Sequence, residues 1–140
     1  MASLNPYVHF NGNCEEAFNF YKSIFGGDYT MSRFKDAPPG SPMTEAEGDK
    51  VLHISLPIGR GTVLMGSDVP QAFGPASIGN NFYVSVNADS REEADKLFKG
   101  LSEGGKVMMP LEDTFWGAYF GMFVDKFKVQ WMISFDNNNN

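Results

Sequence analysis

Apolar positions along this chain change period in a fixed order, and the order occurs twice. Tyr7-Val8-His9-Phe10-Asn11 reads as a strand; Ala17, Phe20, Tyr21 and Ile24 then recur at helical spacing, and Gly26 stops the helix. The second pass is Tyr83-Val84-Ser85-Val86-Asn87, then Ala94, Leu97, Phe98 and Leu101, then Gly104-Gly105, at an offset of 76 to 78 residues. Each helix start carries a capping pattern: Asn13 with Glu16, and Ser90 with Glu93. Further β segments follow each helix. They are Asp28 to Lys35, Lys50 to Ile58 and Thr62 to Met65 in the first half, and Lys106 to Met109, Gly117 to Val124 and Val129 to Phe135 in the second. Gly59-Arg60-Gly61 and Asp125 to Lys128 supply hairpin turns. In Val51-Leu52-His53-Ile54-Ser55-Leu56 the alternation sets His53 and Ser55 on one face, and Leu52, Ile54 and Leu56 on the face that should carry the helix.

The pattern predicts one α+β domain over residues 1–140, with a βαβββ module at 4–66, a linker at 67–80, a second module at 81–136 and a disordered tail at 137–140. Asp36 to Asp49, with its prolines and glycines and with Glu45 and Glu47, reads as an irregular excursion.

Composition narrows the classes of function. A 140-residue chain that is 42% hydrophobic can bury a continuous core, and its 13 Phe, 5 Tyr, 2 Trp and 8 Met are enough to line a cavity besides. A net charge of -6, with no basic stretch, argues against nucleic acid as a partner. No apolar run of about 20 residues and no signal-like start are visible, so no membrane partner and a cytoplasmic location are expected. Cys14 is the single cysteine, which precludes an internal disulfide. Placed at a helix start, it is a candidate thiolate, but Glu15 and Glu16 beside it oppose that charge.

Several segments resemble the vicinal-oxygen-chelate family (glyoxalase, bleomycin-resistance and dioxygenase proteins), in particular its PhnB-like branch, also labelled 3-demethylubiquinone-9 3-methyltransferase-like. They are Asn5-Pro6-Tyr7-Val8-His9-Phe10-Asn11-Gly12, Glu15-Glu16-Ala17-Phe18-Asn19-Phe20-Tyr21, Leu64-Met65-Gly66-Ser67-Asp68 and Met109-Pro110-Leu111-Glu112-Asp113-Thr114-Phe115-Trp116-Gly117. Asp125-Lys126-Phe127 and Trp131-Met132-Ile133 complete the set. Lys128 stands where relatives usually place glycine, which leaves that turn type open. The resemblance implies two tandem βαβββ modules forming a curled sheet around a central trough, and a homodimer.

In metal-dependent relatives a divalent ion is held in the trough by His or carboxylate groups. The corresponding positions here are Pro6, Met65, Asn81 or Phe82, and Met132, none a good ligand for a hard ion. His9, by alternation, should side with Tyr7, away from Pro6, Val8, Phe10 and the trough. His53 and Glu112 remain as weak metal candidates. The resemblance without its ligands implies a small organic ligand bound without a cofactor, in an apolar trough lined by His53, Ser55, Met65, Tyr83, Ser85, Gln130 and Met132, flanked by Phe115 and Trp116. The alternatives are a divalent-metal glyoxalase- or dioxygenase-type lyase or isomerase, and an antibiotic-sequestering resistance protein. Methyltransferase chemistry lacks a glycine-rich strand-to-helix turn, because Gly26-Gly27 and Gly104-Gly105 follow helices.

Overall fold

A computed structural model describes residues 2–38, 40 and 47–136; half of the proline-rich excursion, Glu45 included, and the 137–140 tail lie outside them. The chain divides into two compact units, Met1–Ser77 and Ile78–Asn140.

In the first unit β1 (Tyr7–Phe10) leads into α1 (Cys14–Phe25), followed by β2 (Thr30–Arg33), β3 (Val51–Gly59) and β4 (Thr62–Asp68). The sheet order is β1-β4-β3-β2, with β1 parallel to β4 and the other pairs antiparallel. The second unit repeats this with β5 (Val84–Asn87), α2 (Arg91–Ser102), β6 (Lys106–Asp113), β7 (Ala118–Val124) and β8 (Gln130–Asp136), in the order β5-β8-β7-β6. A parallel outer pair needs a crossover, and the helix supplies it, so each helix covers one face of its own sheet.

The helix-covered faces hold the core. Under α1 lie Phe10, Ile54, Leu56 and Leu64, met by Cys14, Ala17, Phe18 and Tyr21 of the helix. The stripe thus runs through Phe18 and not through Phe20 and Ile24. Gly66 explains the rotation: a Cβ there would stand 2.8 Å from the Phe18 ring and 2.9 Å from the Val8 carbonyl, so its absence makes room for the ring. Burying Phe18 in that space contributes roughly 1.5–3 kcal/mol. Gly121 does the same for Phe98 of α2, 2.6 Å from where its Cβ would be. There the expected stripe holds: Ala94, Leu97 and Leu101 are buried over Phe123, Trp131 and Ile133, and Phe98 meets Phe123 edge-on at 5.0 Å.

Local expectations failed where a distant group intervened. Asn13 makes no side-chain cap on α1. Its place is taken by Asp68, whose Oδ1 accepts from the Gly12 and Cys14 N–H groups and whose Oδ2 accepts from Val51 N–H, all at 3.0 Å. This carboxylate is only 2% exposed. The Ser90 cap is present, accepting from Glu93 N–H, while the Glu93 side chain accepts from Asp89 N–H. A register shift between Ser32 and Arg33, opposite the start of β3, turns Val51 inward and leaves Leu52 exposed. β6 runs on to Asp113, taking Glu112 and Asp113 into a strand instead of a turn. Gly105 is more than a helix stop, since any Cβ would collide with the Val124 carbonyl at 2.0 Å.

Asp125 organises the last hairpin as Asp68 organises the first unit. Its Oδ1 accepts from Phe127 and Val129 N–H, and its Oδ2 from the Trp131 indole N–H at 2.8 Å. Lys128 closes that turn at φ 74°, in the left-handed region.

Candidate functional site

The helix-free face of each sheet is where side chains are held on rigid strands yet remain accessible. Pairing gives its membership. In the first unit Tyr7, Met65, Ser55 and Thr30 form one row across β1, β4, β3 and β2. Alternation adds His9, Ser67, His53 and Ser32, with His9 beside Ser67 and His53 beside Ser32. In the second unit Ser85, Met132, Met122 and Met109 form a row, and Asn87, Ser134, Phe120 and Glu112 another. Tyr83, just before β5, and Gln130 follow by alternation.

His53 and Ser55 therefore share one face, as their alternation requires, and strand pairing sets Met65 beside Ser55. His9 is a correction: it lies on that same face, with the Tyr7 ring 5.2 Å from it and 5.6 Å from the His53 ring. Alternation correctly grouped His9 with Tyr7, but the face opposite, which had been assigned to the trough, is the helix-covered one. Phe10 proves the point, meeting Phe18 of α1 at 6.2 Å. The Tyr7 hydroxyl is 3.3 Å from His53 Nδ1 and the Ser67 hydroxyl 3.1 Å from His9 Nδ1. Tyr7, His9 and Ser67 were missed as site residues. The available signal was that a strand's helix-facing side is its most apolar one, which for β1 is Val8 and Phe10.

On the second face Met132, Met122 and Met109 make a flexible thioether strip. The Gln130 amide donates to the Phe82 carbonyl at 2.6 Å. Phe115 and Trp116 sit in the turn between β6 and β7, 98% and 55% exposed, with Trp116 stepping from Phe115 at 5.0 Å to Phe120 at 6.0 Å. That turn is tied by Thr114, whose N–H and hydroxyl both donate to the Ala118 carbonyl. Its flanks are held to α2 by Arg91, which pairs with Asp113 at 2.8 Å and stacks over Tyr119 at 3.9 Å. Asp95 accepts from the Tyr119 hydroxyl and holds the phenol above its usual range. Asp113 is thereby committed to α2, and Glu112 alone faces the Phe120 side.

Among the described residues no three of His, Cys, Asp or Glu come together in a way that could hold a metal. Each histidine on the first face has a hydroxyl as its neighbour. Cys14 is fully buried, and burial, reinforced by Asp68 and Glu15, pushes its thiol well above the usual range, so it is inert. Among the described residues no helix is long and apolar enough to cross a membrane.

Paired βαβββ units, each with one sheet face under a helix and the other open, define a class of fold built to present strand side chains. The chain belongs to the Glyoxalase/Bleomycin resistance protein/Dioxygenase superfamily, whose pattern it matches over residues 3–133. It is 29% identical to protein YjdN of Escherichia coli K12, over 94% of this chain and 93% of that protein. Among solved structures it is similar to PA1353 of Pseudomonas aeruginosa, at 41% identity, with 97% and 98% of the two chains covered and a TM-score of 0.85. The PhnB protein of Bacillus cereus is 26% identical, with 96% and 99% covered and a TM-score of 0.68.

Proposed function

We propose that this is a PhnB-like protein that binds a small organic molecule on its helix-free sheet faces, without the divalent ion used by metal-dependent relatives. The observation that carries the reading is the donor set: the face bearing both histidines offers hydroxyls and a thioether around them in place of carboxylates. The Met109, Met122 and Met132 strip with the exposed Trp116 gives a planar or aliphatic body a surface to rest on. The methyltransferase label attached to the Bacillus cereus protein finds no support in these residues: Gly26 and Gly104 have left-handed φ just past helix ends, where they terminate the helices and cannot cradle a cofactor phosphate or sugar at a helix start.

Incubating the purified protein with Zn, Ni, Mn or Fe and weighing bound metal by elemental analysis tests this. Substoichiometric metal is expected. One tightly held ion per chain would refute it and return His53 and Glu112 to consideration as ligands.

A further inference from the structure

We infer that the helix-free face of the first sheet is an oxyanion site, taking the carboxylate or phosphoryl group of a small organic acid through His9 and His53, with Tyr7 positioning the His53 ring. This rests on the small-molecule reading above and names the charge that the molecule carries.

The argument starts from what the two imidazoles have been given. Each is contacted at Nδ1 by a hydroxyl, Tyr7 for His53 at 3.3 Å and Ser67 for His9 at 3.1 Å. A phenol donates more readily than it accepts, so Tyr7 favours the His53 proton on Nε2; the Ser67 hydroxyl can donate or accept, and His9 can carry its proton on either ring nitrogen. Among the described residues neither Nε2 has a hydrogen-bond partner. The face therefore presents to solvent the Nε2–H of His53, and that of His9 when Ser67 donates to its Nδ1, as donors without a protein partner among the described residues. Ser32, Ser55 and Thr30 add hydroxyls on the same side.

The second observation is what the face lacks. The chain has 17 acidic residues against 11 basic ones, yet none of the described positions paired across this face is Asp or Glu. Several of the described acids of the unit are occupied elsewhere: Glu15 on Arg33, Asp28 on Lys22, Asp36 on Arg33 N–H, Asp49 on Lys35, Asp68 on backbone N–H groups, and Glu47 on Gln71 N–H. A cluster of donors without carboxylates is complementary to a group that only accepts, and an ionised oxygen makes the strongest such bonds. A metal ion on Nε2 of His53 would need the opposite tautomer, and among the described residues no Asp or Glu is paired on this face. Met65, in the row with Tyr7, offers a thioether contact to the body of the acid.

The test uses the full chain, whose two histidines give separable imidazole signals in nitrogen-edited NMR, assigned with His9→Gln. Benzoate, inorganic phosphate and uncharged benzyl alcohol are titrated in turn, the first two arms distinguishing a carboxylate from a phosphoryl preference. Benzoate or phosphate should shift Nε2 of both rings, with benzoate binding about tenfold or more tighter than benzyl alcohol. Tyr7→Phe should abolish most of that preference while leaving the far-UV circular dichroism unchanged. Equal binding of benzoate and benzyl alcohol would overturn the oxyanion assignment and leave the small-molecule reading standing. No binding of any probe would overturn both, as would zinc alone moving both rings at one ion per chain.

Discussion

Removing the Asp68 carboxylate should unfold the first unit's chain crossing, and the size of the loss can be worked from its bonds. Three backbone N–H groups depend on it: Gly12, Cys14 and Val51, each at 3.0 Å. Gly12 is exposed, so water replaces the carboxylate there; Cys14 and Val51 are 0% and 1% exposed and have no such recourse. In Asp68→Ala two buried donors are orphaned, each costing about 1–3 kcal/mol, or about 2–6 kcal/mol together. Against a typical total stability of roughly 5–15 kcal/mol this is a severe defect. Asp68→Asn keeps one oxygen for the Gly12 and Cys14 pair and sets an amide N–H against Val51, so only one donor is lost, about 1–3 kcal/mol. Urea denaturation followed by far-UV circular dichroism, with equal m-values required for comparison, reads both. A loss below about 1 kcal/mol for Asp68→Ala, or Asn as damaging as Ala, would refute the claim that acceptor geometry, rather than charge, ties β4, β3 and the start of α1 together.

Two further substitutions check other parts of the fold. Lys128→Gly should raise stability by about 0.5–1 kcal/mol, the left-handed penalty of roughly 1–2 kcal/mol being partly offset by the greater freedom of unfolded glycine; a melting temperature that stays put or drops would show that the φ of 74° carries no strain. Glu15→Gln removes a carboxylate that the Arg33 hydrogen bond holds below its usual range. A depressed carboxyl stabilises the folded state above its unfolded pKa and loses that contribution as pH falls through the folded value, so wild type should melt higher than Glu15→Gln near neutrality and the gap should close in acid. A gap that is independent of pH would rule out the ion pair as its source.

Much of this protein was legible along the chain. The duplicated strand, helix and glycine pattern set the order of elements in both units because period and punctuation are local properties of neighbouring residues. The second helix was readable down to its cap and stripe, since Ser90, Glu93, Ala94, Leu97 and Leu101 all act within about three turns of one another. The candidate site was half legible. His53 and Ser55 were grouped by simple alternation, and Met65, Phe115 and Trp116 were singled out through the segments that resemble the family.

What the chain could not announce in advance always involved a partner far along it. Asp68 displaces Asn13 as the cap of α1 from more than fifty residues away, and the gap at Gly66 rotates the helix to bury Phe18. A shifted register opposite Arg33 exchanges Val51 for Leu52. The same limit hid the Tyr7, His9 and His53 constellation. Alternation states which residues share a side of a strand but is silent on which side a helix will cover, and only the packing of Phe10 against Phe18 decided that the histidines would face outward together.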